Sequence, residues 1–402
     1  MTTAIGRGTA LVKRKTAGRL GRSDRSAFGL WFWEIDRVLL LLVFVLISVG
    51  LIAVAAASPS AAERYSGGNI TVAPLYYFWR QLGWVAVGLP VMLAVSMLPV
   101  IQARRFAMFG AGVFSVLLAL VPLLGHEKNG AQRWIGLGVA GIEPSEFLKP
   151  FFVVSLAWLL SLRAHDKSLP VIPLSGALVA IIAFFLMKQP DFGQTIIFCT
   201  VWLAMLMLCG LSYRLMGALG AAGVIGIIAA YLFYPVATLR INNFIFAQGD
   251  TYQVDSAHAT LVAGGFFGTG PGGGEAKFHL PEAHTDYIFS VIGEEFGLFA
   301  CIAIACLFLA IIVRVFVKLL DEEDPFIVLA AAGLTMQFAV QALINMAVNV
   351  NLAPSKGMTL PFISYGGSSM IALSAGFGLL LAFTRRNPYL RRSPYVVRWS
   401  KR

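Results

Sequence analysis

Apolar residues fall along this chain in ten long blocks, at about 38–57, 75–98, 106–125, 144–162, 170–187, 192–210, 213–234, 286–313, 326–348 and 360–383. Crossing a hydrocarbon core of about 30 Å takes roughly 20 helical residues, so each block is long enough to span a bilayer. The pattern predicts an all-α polytopic membrane protein with ten transmembrane helices and both termini on one side. The longest interruption, 235–285, separates the seventh and eighth blocks. Its middle (TYQVDSAHATLVAGGFFGTGPGGG) is apolar enough to lie in the interface or re-enter the bilayer, and such backbone is tolerated only under protein or beside a water-filled cavity. The organisation expected is a tail at 1–37, a membrane domain at 38–384 and a second tail at 385–402.

Charge orients this arrangement. Only 13% of the 402 residues are charged, against about 25% in soluble domains. Eight of the 31 Lys and Arg residues precede position 38 and seven follow position 384. With the loops on the same side, 22 of the 31 share one face, which the positive-inside pattern makes cytoplasmic. Beside membrane spans, basic tails read as partners of an anionic lipid face rather than of nucleic acid. Little fixed structure is expected in residues 1–27. The apolar run at 38–57 is too long, and its leader too long, for a cleaved signal peptide, so it is read as a retained helix.

Some familiar chemistries are excluded. The four cysteines all lie inside apolar runs with no metal-ligand or disulfide-framework spacing. Gly268-Thr-Gly270-Pro-Gly272-Gly273 matches a dinucleotide fingerprint letter by letter, but no strand precedes it and no helix follows in a βαβ unit. No phosphate-binding loop occurs, so a nucleotide cofactor is not expected.

The candidate chemistry lies where polar groups interrupt apolar runs. PEAHTDYIFSVIGEEFG (281–297) opens the eighth block carrying Glu282, His284, Asp286, Glu294 and Glu295. Ionisable groups at membrane depth cost about 2.5–3.5 kcal/mol each on insertion scales and are functional candidates by default. Asp286 has a second reading, as an N-cap of the helix it introduces. Arg80, Lys149, Lys188 and Lys356 sit in or beside spans near the outer face, the three lysines close to a proline or a carboxylate, a distribution that suggests an anion site. Glu146 stands one helical turn from Lys149. The small residues of Tyr365-Gly-Gly-Ser-Ser369 read as a close helix contact.

Together, PEAHTDYIFSVIGEE (281–295), EPSEFLKP (143–150) and NLAPSKGMTLPFISYGGSS (351–369), with KQPDFGQ (188–194) and GAQRWI (130–135), resemble the SEDS family (shape, elongation, division and sporulation), over essentially all ten spans. The Pro-Ser-Lys-Gly-Met-Thr-Leu-Pro run at 354–361 and the long basic leader resemble the division branch more than the elongation branch. The resemblance implies a peptidoglycan glycosyltransferase of the bacterial inner membrane, acting at the division septum on lipid II and releasing undecaprenyl diphosphate with inversion. It implies Asp286 as general base. It places Arg80 and Lys149, with Glu146 orienting the lysine, at the leaving diphosphate, and Arg133 and Lys356 behind them. His284 would tune Asp286, help hold a divalent cation, Mg²⁺ or Mn²⁺, that bridges the phosphates, or make a structural hydrogen bond. Glu294 and Glu295 would make interhelical polar contacts or regulate the site. The implied partners are a class B penicillin-binding protein (the septal transpeptidase) and other division proteins. Three alternatives stay open: a lipid II flippase without covalent chemistry, an elongation-type polymerase, and a non-catalytic scaffold that recruits a partner through its tails.

Overall fold

Each of the ten apolar blocks holds one helix. The structure, a computed structural model, describes residues 26–66, 71–128, 131–136, 141–246, 251–355 and 357–385. In chain order the helices are α1 (Ala27–Glu34), α2 (Arg37–Tyr65), α3 (Tyr76–Ser96), α4 (Val100–Leu124), α5 (Pro144–His165), α6 (Val171–Lys188), α7 (Phe192–Leu208), α8 (Tyr213–Phe233), α9 (Pro235–Phe246), α10 (Tyr252–Ala263), α11 (Ile288–Leu319), α12 (Pro325–Asn349) and α13 (Gly367–Phe383). Eight of them are long and apolar enough to cross a membrane, and α7 and α13 are shorter apolar helices of 17 residues. Between α4 and α5 a short antiparallel hairpin pairs β1 (His126–Lys128) with β2 (Ala131–Trp134). Strands of three and four residues are too short to leave a periodic signal, which is why the sequence pattern missed them.

The chain divides into two compact units, one formed by the ends up to Ile35 and from Arg385, the other by Asp36–Thr384. In the first, α1 lies within a stretch expected to be tail. Its start is fixed by Ser26, whose Oγ accepts from the Gly29 amide at 3.0 Å, and its sequence AFGLWFWE is largely apolar.

In the second unit, α13 packs on α3, α4 on α5, α5 on α12 and α11 on α2. Helices α5, α12 and α13 form the centre; nearly all of α13 from Ser368 to Phe383 is buried. A helix that is apolar on every side belongs in such an interior. At the other extreme, no residue of α8 is buried. Small residues permit the close contacts, as at Gly367, where an added methyl would come within 2.6 Å of the Trp84 ring.

Helix α2 continues to Tyr65 instead of stopping near 57. Its late serines are absorbed into the structure, Ser60 Oγ bonding the Ala57 carbonyl at 2.9 Å and Ser58 Oγ the Pro74 carbonyl at 2.7 Å. At the start of α2, buried Asp36 accepts from the Val38 and Leu39 amides and from Arg314 Nε (2.9 Å) and Lys318 Nζ (2.8 Å) at the far end of α11. Burial opposes its ionisation, but the bonds from Arg314 and Lys318 prevail and hold its carboxyl below the ordinary range.

The long segment before α11 is built from α9, α10, a glycine-rich link and a 3₁₀ turn (Ala276–Phe278). It is zipped onto α11 where that helix is kinked. Gly297 has φ 80° and ψ −179°, a conformation open essentially to glycine. The kink releases backbone groups that the link takes up: Thr269 N to Glu294 O (2.9 Å), Gly270 N to Glu295 O (3.0 Å) and Leu298 N to Gly265 O (3.0 Å). Below them Glu294 accepts from the Ala276 and Lys277 amides at 2.7 and 3.0 Å, and the buried Lys277 ammonium pairs with Glu295 and bonds the Ala56 carbonyl. The two glutamates therefore fasten the outer segment to α11 and α2, a contact between loop and helix rather than between helices. Gly297→Ala is expected to destabilise the protein by more than 1 kcal/mol through the strained φ and overlap with the Gly268 nitrogen, seen as a lowered midpoint of thermal unfolding in detergent.

Candidate functional site

The residues just ahead of α11 form an irregular turn, and α12 fixes it. Glutamine and asparagine recur every fourth residue along one face of α12, at Gln337, Gln341, Asn345 and Asn349. The Asn345 amide donates to the backbone carbonyls of Asp286 (2.9 Å) and Met358 (2.7 Å). Asn349 donates to the same Asp286 carbonyl (3.1 Å) and accepts from Ser290 N and Oγ at 3.1 and 2.8 Å. Asp286 is thus positioned through its main chain, which leaves its carboxylate uncommitted. Helix α11 begins two residues later, with Tyr287 at the cap position and no side-chain cap bond, so Asp286 is not an N-cap. Asn345→Leu is expected to leave Asp286 in place chemically but loosely held, lowering kcat roughly 10-fold or more in an activity assay, with substrate binding little changed.

Burial is the main influence on Asp286, and the Glu282 charge adds to it. Together they push its pKa up to about 7, against the opposing pull of Arg133 and then Arg240. A carboxylate with that pKa can accept a proton near neutrality and hold it. Glu282 sits at a left-handed φ of 52°, its carboxylate accepting from Tyr65 Oη (2.9 Å) and Thr285 Oγ1 (2.7 Å). Glu282→Gln removes the charge and is expected to move the acidic limb of the pH–rate profile to lower pH. An unmoved limb would mean that Glu282 does not act on the titrating group.

His284 is buried in an aromatic group, with ring centroids 4.3 Å from Tyr77, 5.3 Å from Tyr365 and 6.2 Å from Tyr65. Its carbonyl accepts from Tyr365 N at 2.9 Å, joining the turn to the segment before α13. Arg80 belongs to the rim of this group: it donates to Tyr76 Oη at 3.2 Å and lies 5.5 Å over the Tyr76 ring.

A chain of polar contacts runs inward from the hairpin. Arg133, on β2, donates to the Gln189 and Pro190 carbonyls (3.3 and 2.6 Å) and lies 3.5 Å from Asp191. Asp191 caps α7 by accepting from Gln194 N (3.2 Å), and Gln194 Nε2 donates to Glu146 Oε1 at 2.6 Å. Glu146 pairs with Lys149 at 2.7 Å; the lysine also donates to Gln341 Oε1 (2.9 Å), whose amide reaches the Thr359 carbonyl at 3.0 Å. Glu146 and Lys149 also border a small open-sided crevice whose remaining lining is mostly apolar, including Leu334, Phe338, Leu373 and Phe377.

The structure therefore brings Arg133 into electrostatic range of Asp286 and places Lys149 and Glu146 in a buried pair. Arg80 stands with the tyrosines. Lys356 lies outside the described residues, although its neighbour Gly357 lies against Asp286, where an added methyl would come 3.3 Å from Oδ2. Sequence reasoning passed over Arg240, Asn345, Asn349 and Gln341. The amides carried a usable signal, four polar residues at intervals of four in an otherwise apolar helix. Among the described residues, no three His, Cys, Asp or Glu side chains form a metal-ligand group.

Fold and site define a polytopic α-helical membrane protein with one carboxylate held ready where a kinked helix meets a folded outer segment. Residues 36–389 match the family described as "Cell cycle protein", that of FtsW, RodA and SpoVE, and the chain belongs to it. It is 38% identical over 370 residues to the "Probable peptidoglycan glycosyltransferase FtsW" of Caulobacter vibrioides (strain NA1000 / CB15N), covering 91% of this chain and 93% of the relative. The protein of the same name from Nitrosomonas europaea is 32% identical, with 89% and 95% covered. Among solved structures it is similar to a chain of a peptidoglycan synthase complex that coordinates polymerization and crosslinking (TM-score 0.71, 26% identity, 87% of this chain and 97% of that one). It is also similar to the rod shape determining protein RodA of Thermus thermophilus (TM-score 0.64, 26% identity, 87% and 96% covered).

Proposed function

We propose that this protein is a peptidoglycan glycosyltransferase that polymerises lipid II into glycan strands for the division septum. The observation that carries the reading is the Asp286 carboxylate, held by its backbone from Asn345 and Asn349 and pushed to a pKa of about 7. Asp286 takes the proton from the 4-hydroxyl of the acceptor sugar as that oxygen attacks the anomeric carbon of the donor. The bond from that carbon to the diphosphate breaks on the opposite face, so the α-linked donor becomes a β-linked product and undecaprenyl diphosphate leaves. Arg133 supplies positive charge on the Asp286 side of the site.

The described residues offer no group of three ligating side chains, so a divalent cation would be held mainly by the substrate phosphates, whose charge it would neutralise. The similarity to a chain of a peptidoglycan synthase complex supports a transpeptidase partner of the class B penicillin-binding type. Likeness to proteins named FtsW supports other division proteins as partners and a place in the inner membrane at the septum.

The test is incubation of the purified protein with lipid II, alone and with its transpeptidase partner, with Mg²⁺ or Mn²⁺. Glycan strands are the expected product. Transfer of lipid II across vesicle bilayers with no strands under any condition would replace the polymerase with a flippase.

A further inference from the structure

Helix α2 outruns its apolar block by about two turns, from Ser58 to Tyr65. What the extension delivers is Tyr65, at the last helical position. Its ring stands edge-on to His284, with centroids 6.2 Å apart and 82° between planes, and tilts against Tyr77 at 6.2 Å and 53°. Its hydroxyl donates to Glu282 Oε1 at 2.9 Å, across 217 positions of chain. The residue is 48% exposed, yet ring and hydroxyl are both engaged.

Glu282 is the hub of the turn that carries Asp286. Its carbonyl accepts from Thr285 N (3.1 Å), Thr285 Oγ1 (3.2 Å) and Tyr287 N (3.3 Å), so the residues on either side of Asp286 both close onto residue 282. The closure puts Glu282 at a φ of 52°, a conformation that a residue with a side chain rarely adopts. Such a corner persists only where its surroundings over-determine it. The Glu282 carboxylate supplies the restraint. Oε2 accepts from Thr285 Oγ1 at 2.7 Å, inside the turn, and Oε1 accepts from Tyr65, outside it. Hydrogen bonds to a charged carboxylate are among the stronger ones. The remaining anchors act elsewhere: Asn345 and Asn349 hold the Asp286 carbonyl, and Tyr365 N holds the His284 carbonyl.

We infer that Tyr65 is a positioning residue for Asp286: its hydroxyl, bonded to Glu282, locks the left-handed corner from which the Asp286 turn closes. Helix α2 thereby sets where the carboxylate stands without touching it. This deepens the proposed polymerase reading and rests on it for the effect on rate, whereas the effect on the turn stands apart from it.

Tyr65→Phe keeps the ring and deletes the hydroxyl. The experiment compares it with wild type, as full-length protein in detergent, by hydrogen–deuterium exchange over residues 282–290 and by kcat and KM for strand formation from lipid II. The Thr285 and Tyr287 amides that close the turn should exchange about 10-fold faster, with α12 protection and the thermal midpoint unchanged. The kcat should fall about 10-fold with KM little changed, as for a group misplaced rather than a contact with substrate lost. In a Glu282→Ala background, Tyr65→Phe should cost nothing further in kcat. Thr285→Val removes the other hydroxyl from the same carboxylate and serves if Tyr65→Phe does not fold. Unchanged exchange at the turn would overturn the inference, whatever the rate does. So would faster exchange with a wild-type kcat, or a full further loss of kcat in the Glu282→Ala background. Tyr65-dependent exchange in a wild-type protein that makes no strands would keep the hold on the turn and remove the polymerase.

Discussion

Asp286→Asn is expected to lower the rate of glycan polymerisation by ~10²–10⁴-fold while leaving the protein folded, the range over which a positioned general base usually acts. The asparagine matches the aspartate in shape but cannot take the proton from the attacking hydroxyl. Stability should hold because the carboxylate makes no hydrogen bond or ion pair among the described residues, and Asn345 and Asn349 hold only the backbone of residue 286. The removed charge even relieves repulsion with Glu282. Initial rates of strand formation, with a thermal unfolding curve for each variant, check both halves. Loss of activity together with unfolding would instead assign Asp286 a structural role.

The second large effect concerns stability. Lys149 is almost wholly buried and shares its ammonium between Glu146 and Gln341. Lys149→Met would leave the Glu146 carboxyl in a protein interior with only Gln194 to bond it. Removing one member of a buried pair costs about 3–5 kcal/mol, whereas replacing both with neutral groups is often close to neutral. The midpoint of unfolding in detergent should fall sharply for Lys149→Met and recover much of the loss in Lys149→Met/Glu146→Gln. Equal destabilisation by the single and double variants would show that the ion pair itself is not what the site requires.

The ten apolar helices could be read in the sequence because burial in lipid demands long uninterrupted apolar runs, and no tertiary context alters that demand. Asp286 stands out as a candidate for the converse reason, since a carboxylate there costs free energy. The positions of the basic residues could not be read. Arg80, Lys149 and Arg240 all precede or enter apolar stretches near one face, and linear spacing does not say which meet. Arg80 stands with Tyr76, Lys149 is committed to Glu146, and Arg240, on α9, comes within electrostatic range of Asp286. The outer segment was hard to read for a related reason. Its glycine-rich link satisfies its backbone against the broken stretch of α11 around Gly297, a pairing between residues some thirty positions apart that no local pattern encodes. The hairpin at β1 and β2 is simply too short to register.

The most direct test of the account is the pH dependence of strand formation by the wild-type protein against Asp286→Asn, under conditions where both bind lipid II. A base with a pKa of about 7 is active only when unprotonated, so the wild-type rate should climb tenfold per pH unit below neutrality and level off above it. The variant should be slow and flat across the same range. A wild-type profile with no limb near pH 7, or a variant that keeps the wild-type limb and rate, would contradict Asp286 as the base.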